Sequence, residues 1–185
     1  SGGCAKLVPN SYDVRLDELS EKPGEQRLDK MVSGRYMGEL FGLVLQELAG
    51  SERFISFSSI DLSGILGDAD GHVTREIIRR HLEIGLSEEE TAGVQRLARA
   101  VVLRSARLAT ASFAGVLWHL AGPDKLKKQH IAIDGSVYEK MPLVKENINR
   151  AFSEILGDEA AQVDTILENG GSGLGEAIAA AMVRG

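Results

Sequence analysis

The chain has 185 residues, 43% hydrophobic and 26% charged, a globular balance that suits one core and excludes a disordered or fibrous polymer. Twenty-one Lys and Arg against 27 Asp and Glu leave a net charge of -6, the wrong sign for a chain that lives on phosphate backbones, so no nucleic-acid partner is expected. The single cysteine, Cys4, excludes an internal disulfide framework and favours a reducing compartment; His72, His81, His119 and His130 stand at no zinc spacing, so no metal site is expected of them.

Residues 1–24 read as an irregular leading segment carrying the turn signals Pro9-Asn10-Ser11 and Pro23-Gly24. They contain neither the basic nor the apolar part of a signal peptide, and apolar runs elsewhere break off before the about 18 residues of a membrane span, so no membrane partner and a cytoplasmic location are expected. From Glu25 to Ala49, Leu28, Met31, Val32, Met37, Leu40, Phe41, Val44, Leu45 and Leu48 recur at helical spacing, predicting one long buried helix that stops at Gly50. Gly34, Gly38 and Gly42 form a stripe along it, each costing about 1 kcal/mol against Ala. Such a stripe serves either close helix packing or a ligand pressed against bare backbone.

A variable stretch, 50–73, precedes a helix predicted from Thr74 to Ile84 and ended by Gly85. Its basic residues Arg75, Arg79, Arg80 and His81 interleave with Ile77, Ile78 and Leu82, so they read as a solvated face, as do Lys125, Lys127 and Lys128. Ser87 and Glu90 form a capping box ahead of an alanine-rich helix that runs to Leu120, with Trp118 and His119 read as core and boundary residues. Residues 25–129 are therefore mainly helical. In 130–185 the pattern changes to strand (HIAID, 130–134), helix (143–156), strand (VDTILE, 163–168) and closing helix (176–184). If the strands are parallel neighbours, the loops 134–136 and 169–173 leave the same edge of the sheet, where ligands of open α/β sheets sit.

The loop NGGSG at 169–173 has the shape of a phosphate cradle: bare backbone N–H groups ahead of a helix N-terminus. It is no Walker loop, lacking Gly-Lys-Ser/Thr, and no dinucleotide fingerprint, since Glu176 takes the third glycine position. A tight turn needing positive φ explains it equally well, and Asp134-Gly135-Ser136 alone is a common turn. Two such loops aimed at one edge suggest a nucleotide lying across the ends of two strands.

Three segments, RLDKMVSGRYMGEL (27–40), HIAIDGSVYEKMP (130–142) and NGGSGLGEAIAAAM (169–182), resemble in order and separation three segments of the large lobe of eukaryotic-type hexokinases, and SYDVRLDELSEKPGEQ (11–26) is similar to the stretch before the first. The resemblance implies a helix-rich α/β, ribonuclease H-like (actin-like ATPase) lobe, incomplete here, and transfer of the γ-phosphoryl group of MgATP to the 6-hydroxyl of a glucose-like hexose. It implies sugar contacts at Gln26 and Asp29. Gly34 and Arg35 would face the nucleotide, Asp134, Gly135, Ser136, Val137, Tyr138, Glu139 and Lys140 would form the adenosine-binding loop, and Gly171, Ser172 and Gly173 the glycine turn beyond it. Asp29 departs from the family's usual Glu by one methylene. The small lobe, first phosphate loop, proton-accepting Asp, most of the Mg²⁺ contacts and three further strands would lie upstream of Ser1, so the 185 residues alone are expected to be inactive, with an upstream portion or another chain covering the open sheet edge. A non-catalytic domain that senses sugar or nucleotide, or holds a protein partner, is the alternative.

Overall fold

The computed structural model describes residues 6–51 and 55–168; the loop 169–173 and the closing helix expected at 176–184 lie outside them. The leading segment is not irregular. Asn10 caps α1 (Ser11–Leu19) through a reciprocal box in which the Asp13 N–H donates to Asn10 Oδ1 (2.9 Å) and the Asn10 N–H to Asp13 Oδ2 (2.8 Å). Asp13 is also reached by Arg104 Nη2 at 2.6 Å, which ties this helix to the core.

The long helix expected over 25–49 is two helices, α2 (Arg27–Val32) and α3 (Gly34–Leu48). Extended backbone at Ser33 interrupts the ladder, and the Val32 carbonyl takes the Ser105 hydroxyl at 2.9 Å. The variable stretch holds a helix of its own, α4 (Ser59–Gly67), capped by a Ser58–Asp61 box, with Leu62 and Ile65 fully buried. Next comes α5 (His72–Leu82), two residues earlier than its apolar pattern predicts. The Asp68 carboxylate sets that start, accepting the N–H groups of Gly71 (3.1 Å) and Thr74 (2.7 Å).

As expected, Ser87 and Glu90 cap α6 (Glu88–Ala121), whose 34 residues form the spine of the molecule. Its buried positions, Val94, Ala98, Val101, Val102, Ser105, Ala106, Thr110, Ala114 and Leu117, follow the helical repeat, and the small residues let α3 and α8 (Val144–Leu156) approach. Phe113 stacks on Phe152 of α8 at 6.3 Å. Contrary to the expectation from apolar runs, α6 is long and apolar enough to cross a membrane by length and composition. Its buried face and the pairing of Arg104 with Asp13 and Arg107 with Glu154 make it a core helix instead. Trp118 is not a core residue. With Ala114 and Leu117 on the inward face, Val116, Trp118 and Leu120 turn outward at 58, 48 and 70% exposure.

Both expected strands form, β1 (Gln129–Ile133) and β2 (Val163–Leu167), parallel and adjacent, in register from Gln129 opposite Val163 to Ile133 opposite Leu167. Between them lie a five-residue helix, α7 (Ser136–Lys140), then α8 and a 3₁₀ turn over Gly157–Gln162. Ile131, Ile133 and Val163 pack on the core. Among the described residues each strand pairs only with the other.

Candidate functional site

The parallel register brings the C-terminal ends of both strands to one edge, where the Glu168 N–H donates to the Ile133 carbonyl at 3.0 Å. Residues 134–136 leave from that edge, and so does the chain at Glu168. Gly135 turns the chain with φ +146° and ψ 142°, a conformation close to glycine-only, and a Cβ built there meets nothing within 4 Å. Backbone is bare to solvent at this point.

The segment 134–140 then divides by burial. Asp134, Ser136, Glu139 and Lys140 are exposed, whereas Val137 and Tyr138 turn inward. The Tyr138 hydroxyl donates to Thr165 Oγ1 at 2.8 Å, and Thr165 in turn reaches Asn149 Oδ1 at 3.4 Å, so the Tyr138 side chain pins α7 to β2. Val137 meets Gly34. A Cβ on Gly34 would stand 2.6 Å from Val137 Cγ2 and 3.5 Å from Ser59 Cβ. Gly34 and Ser59 open α3 and α4, so the N-termini of two helices, of 15 and nine residues, converge beside α7 at the sheet edge. The partial positive charge of helix N-termini suits an anionic ligand.

The sequence-derived nucleotide residues Gly34, Val137 and the Gly135 turn are thus gathered, although they lie about a hundred positions apart in the chain. Gly38 and Gly42 are not part of that edge. Their stripe is filled by backbone: a Cβ at either would stand 2.1 and 2.0 Å from the carbonyl oxygens of Phe57 and Ile55. Arg35 is exposed, bound through Nη2 to Glu21 (3.0 Å) and through Nε to Glu39 (3.0 Å), the two carboxylates raising its pKa further. Ser59, which completes the surroundings of Gly34, and its cap Ser58 were missed in the sequence, although Ser58-Ser-Ile-Asp61 is a legible capping box.

Gln26 caps α2 and Asp29 lies in it, the Asp29 carbonyl accepting the Ser33 N–H (2.8 Å) one residue before Gly34. Gln26 caps the helix in the left-handed region, φ 50° and ψ 43°, an unusual and strained backbone for a residue with a Cβ, and its side chain is exposed. Asp29 sits in the first turn of the same helix, exposed, and joins none of the ion pairs among the described residues. Lys30 beside it faces inward, held by Asp17 Oδ1 (2.5 Å) and the Lys22 carbonyl (2.6 Å). That buried anchor fixes α2 while Gln26 and Asp29 face solvent. Gly171, Ser172 and Gly173 lie outside the described residues.

A family model described as hexokinase matches residues 1–182. The chain belongs to the hexokinase family. Hexokinase-2 of Rattus norvegicus is 32% identical over 195 residues, covering 97% of this chain and 21% of its own. Hexokinase-1 of Saccharomyces cerevisiae is 33% identical over 201 residues, covering 95% and 39%. Among solved structures, a hexokinase superposes with a TM-score of 0.76 at 21% identity over 88% of this chain and 38% of that one. The hexokinase from Schistosoma mansoni complexed with glucose superposes at 0.73 and 22% identity over 89% and 39%. The chain spans from about a fifth to two fifths of these hexokinases, and its helix-rich body with a parallel strand pair has their actin-like ATPase fold.

Proposed function

We propose that this hexokinase-family chain serves ATP-dependent phosphorylation of a glucose-like hexose at its 6-hydroxyl, in the cytoplasm, supplying part of the sugar site and the adenosine half of the ATP site. The observation that carries the reading is the meeting of Gly34 with Val137 beside the open Gly135 turn. Two segments distant in sequence there form one edge, with bare backbone at Gly135 and two helix N-termini, a fit for a nucleotide. Gln26 and Asp29 would hold sugar hydroxyls, Gly135 would let the nucleotide approach, Gly34 would seat Val137 beneath that turn, and Ser136, Glu139 and Lys140 would line its exposed side. Val137 and Tyr138 act as the packed underside of the same turn, and Gly171 to Gly173 are assigned to its continuation.

In the reaction a bond forms between the sugar oxygen and the γ-phosphorus while the bond to the ADP oxygen breaks, and the hydroxyl proton passes to an Asp supplied outside this chain. Mg²⁺ would arrive on ATP, held mainly by the phosphates and by groups outside the described residues. Such catalysis rests on positioning and charge stabilisation. The upstream portion of the protein, or another chain, would cover the edge of the strand pair.

The test is Gly135→Ala in the intact protein. A methyl group is strained at φ +146° and stands where the nucleotide would approach, so the ATP KM is expected to rise by about tenfold or more while the glucose KM holds. Glucose-dependent ATP turnover that ignores the substitution would overturn this placement of the nucleotide. Binding of sugar and ATP with no turnover in the unaltered protein would favour the sensing alternative.

A further inference from the structure

The segment 55–58 is wedged between two helices. On one side the carbonyl oxygens of Ile55 and Phe57 fill the glycine stripe of α3. On the other, the Phe57 ring lies against the His81 ring of α5, 4.4 Å between centroids, and stands edge-on to Phe41 at 5.0 Å. The segment ends at Ser58, which caps α4 beside Gly38, and runs into Ser59, which opens α4 beside Gly34.

His81 also reaches the cap itself. Its Nε2 is 3.3 Å from Asp61 Oδ2, the oxygen that accepts the Ser58 N–H at 2.9 Å and the Ser58 hydroxyl at 2.7 Å. The Asp61 side chain is 11% exposed and the His81 ring 24%, so this is a sheltered junction. Arg80 approaches Asp61 Oδ1 at 3.8 Å from the solvent side, and α3 contributes Phe41 and Gly38. Among the described residues, Asp61, Arg80 and His81 are the charged or titratable groups whose ion pairs meet here. Burial pushes the Asp61 carboxyl up, but the Ser58 donors and His81 outweigh it and hold the pKa below its ordinary value.

We infer that His81 is a positioning residue for the nucleotide end of the proposed site: holding the Phe57 ring and the Asp61 carboxylate together, it seats Ser58 and so places Ser59 against Gly34, on which Val137 rests. The inference rests on the nucleotide reading of that edge. A ring Nε2–H at this position donates one bond to the Asp61 oxygen that Ser58 also binds. The seating of Ser58, and through Ser59 the position of Gly34 relative to Val137, therefore depends on the side chain at position 81.

The experiment follows the Val137 methyl resonances and the ATP and glucose KM in the intact protein, unaltered and as His81→Leu and His81→Gln. The Val137 signals are expected to shift in His81→Leu and to return toward their unaltered positions in His81→Gln, whose amide N–H replaces the ring donor. In His81→Leu the ATP KM is expected to rise about three- to tenfold with the glucose KM unchanged, and His81→Gln is expected to restore it. Val137 signals that ignore both substitutions, or ATP and glucose KM that rise together, overturn the inference. Should His81→Leu fail to fold, His81→Phe, which keeps a ring against Phe57 and lacks the donor, decides in its place, and an unchanged ATP KM there overturns the inference. Val137 signals that follow the substitutions in a protein whose unaltered form has no affinity for ATP uphold the coupling and overturn the nucleotide reading.

Discussion

Glycine does opposite things in two regions of this molecule. Along α3, Gly38 and Gly42 exist because the chain itself occupies the space: the carbonyls of residues 57 and 55 stand where a Cβ would be. At Gly135, after β1, a Cβ would meet nothing within 4 Å, and only the backbone conformation demands glycine. The first region uses bare backbone to pack, and the second leaves it open at the edge where two helix N-termini converge. A missing side chain points to a ligand only where the protein has not filled the gap.

The largest expected effect breaks the filled region. Gly38→Ala drives a methyl group into the Phe57 carbonyl, and backbone must shift, so stability should fall by about 2–3 kcal/mol net of the gain in helix propensity. For a chain of this size that lowers the Tm by about 4–12 °C. Gly115→Ala supplies the contrast, because Gly115 lies in α6 with nothing near its Cβ position, and that change should raise stability by about 0.5–1 kcal/mol. Thermal and urea denaturation of both variants measure the pair; a Gly38→Ala protein as stable as Gly115→Ala would mean that the segment 55–58 does not sit in the glycine stripe.

A smaller effect, on the same helical body, depends on pH. Asp68 is buried, and although burial pushes its carboxyl up, the Thr74 hydroxyl and N–H, then Asp70 and the Gly71 N–H, bring it down to about 2. Its folded pKa lies below the ordinary value of 3.8, so its contribution is complete above that value and is lost as the pH falls from about 4 to 2. The loss should be about 2 kcal/mol. Asp68→Asn should be less stable at neutral pH and show a flatter acid limb in urea denaturation followed against pH. An acid limb of unchanged slope would remove Asp68 from that role.

Much of this was legible because the signals are local. The alternation in HIAID and VDTILE, the amphipathic 143–156 helix and the Ser87–Glu90 box each fix an element within a few residues, and the parallel pairing of the strands follows from their order. What escaped depended on partners far away in sequence. The break at Ser33 is held by Ser105, which donates to the Val32 carbonyl 73 positions earlier. Tyr138 stands in an exposed-looking turn, yet Thr165 draws its hydroxyl inward. The helix α4 was hidden by the low apolar periodicity of 50–73, and α1 by a Pro-Asn-Ser stretch that reads as a turn until Asn10 is recognised as a cap for Asp13. The site residues fared in the same way: motif resemblance picked Gly34 and Val137, and only the fold puts them in contact.

The smallest expected effect on stability separates the two roles open to Asp29. It stands in the first turn of α2, a helix of six residues, where a carboxylate gains from the dipole, and removing it should cost at most about 0.3–1 kcal/mol. Lys30, not Asp29, anchors that helix, through Asp17 and the Lys22 carbonyl, so its fold should survive the change. If the exposed carboxylate holds a sugar hydroxyl in the intact protein, Asp29→Ala removes a charge-assisted bond of about 1.5–3 kcal/mol, about ten- to a hundredfold in apparent glucose affinity. Asp29→Glu regains the reach of one methylene and should bind sugar at least as tightly, whereas Asp29→Asn keeps the shape without the charge and should fall between. The ATP KM should stay constant across all three, because the exposed Asp29 side chain takes no part in the Gly34–Val137 contact or the Gly135 turn. Glucose kinetics with thermal stability in parallel make the measurement, and a Tm change in the Ala variant with unaltered glucose kinetics would return Asp29 to the helix end and leave the sugar contact to Gln26.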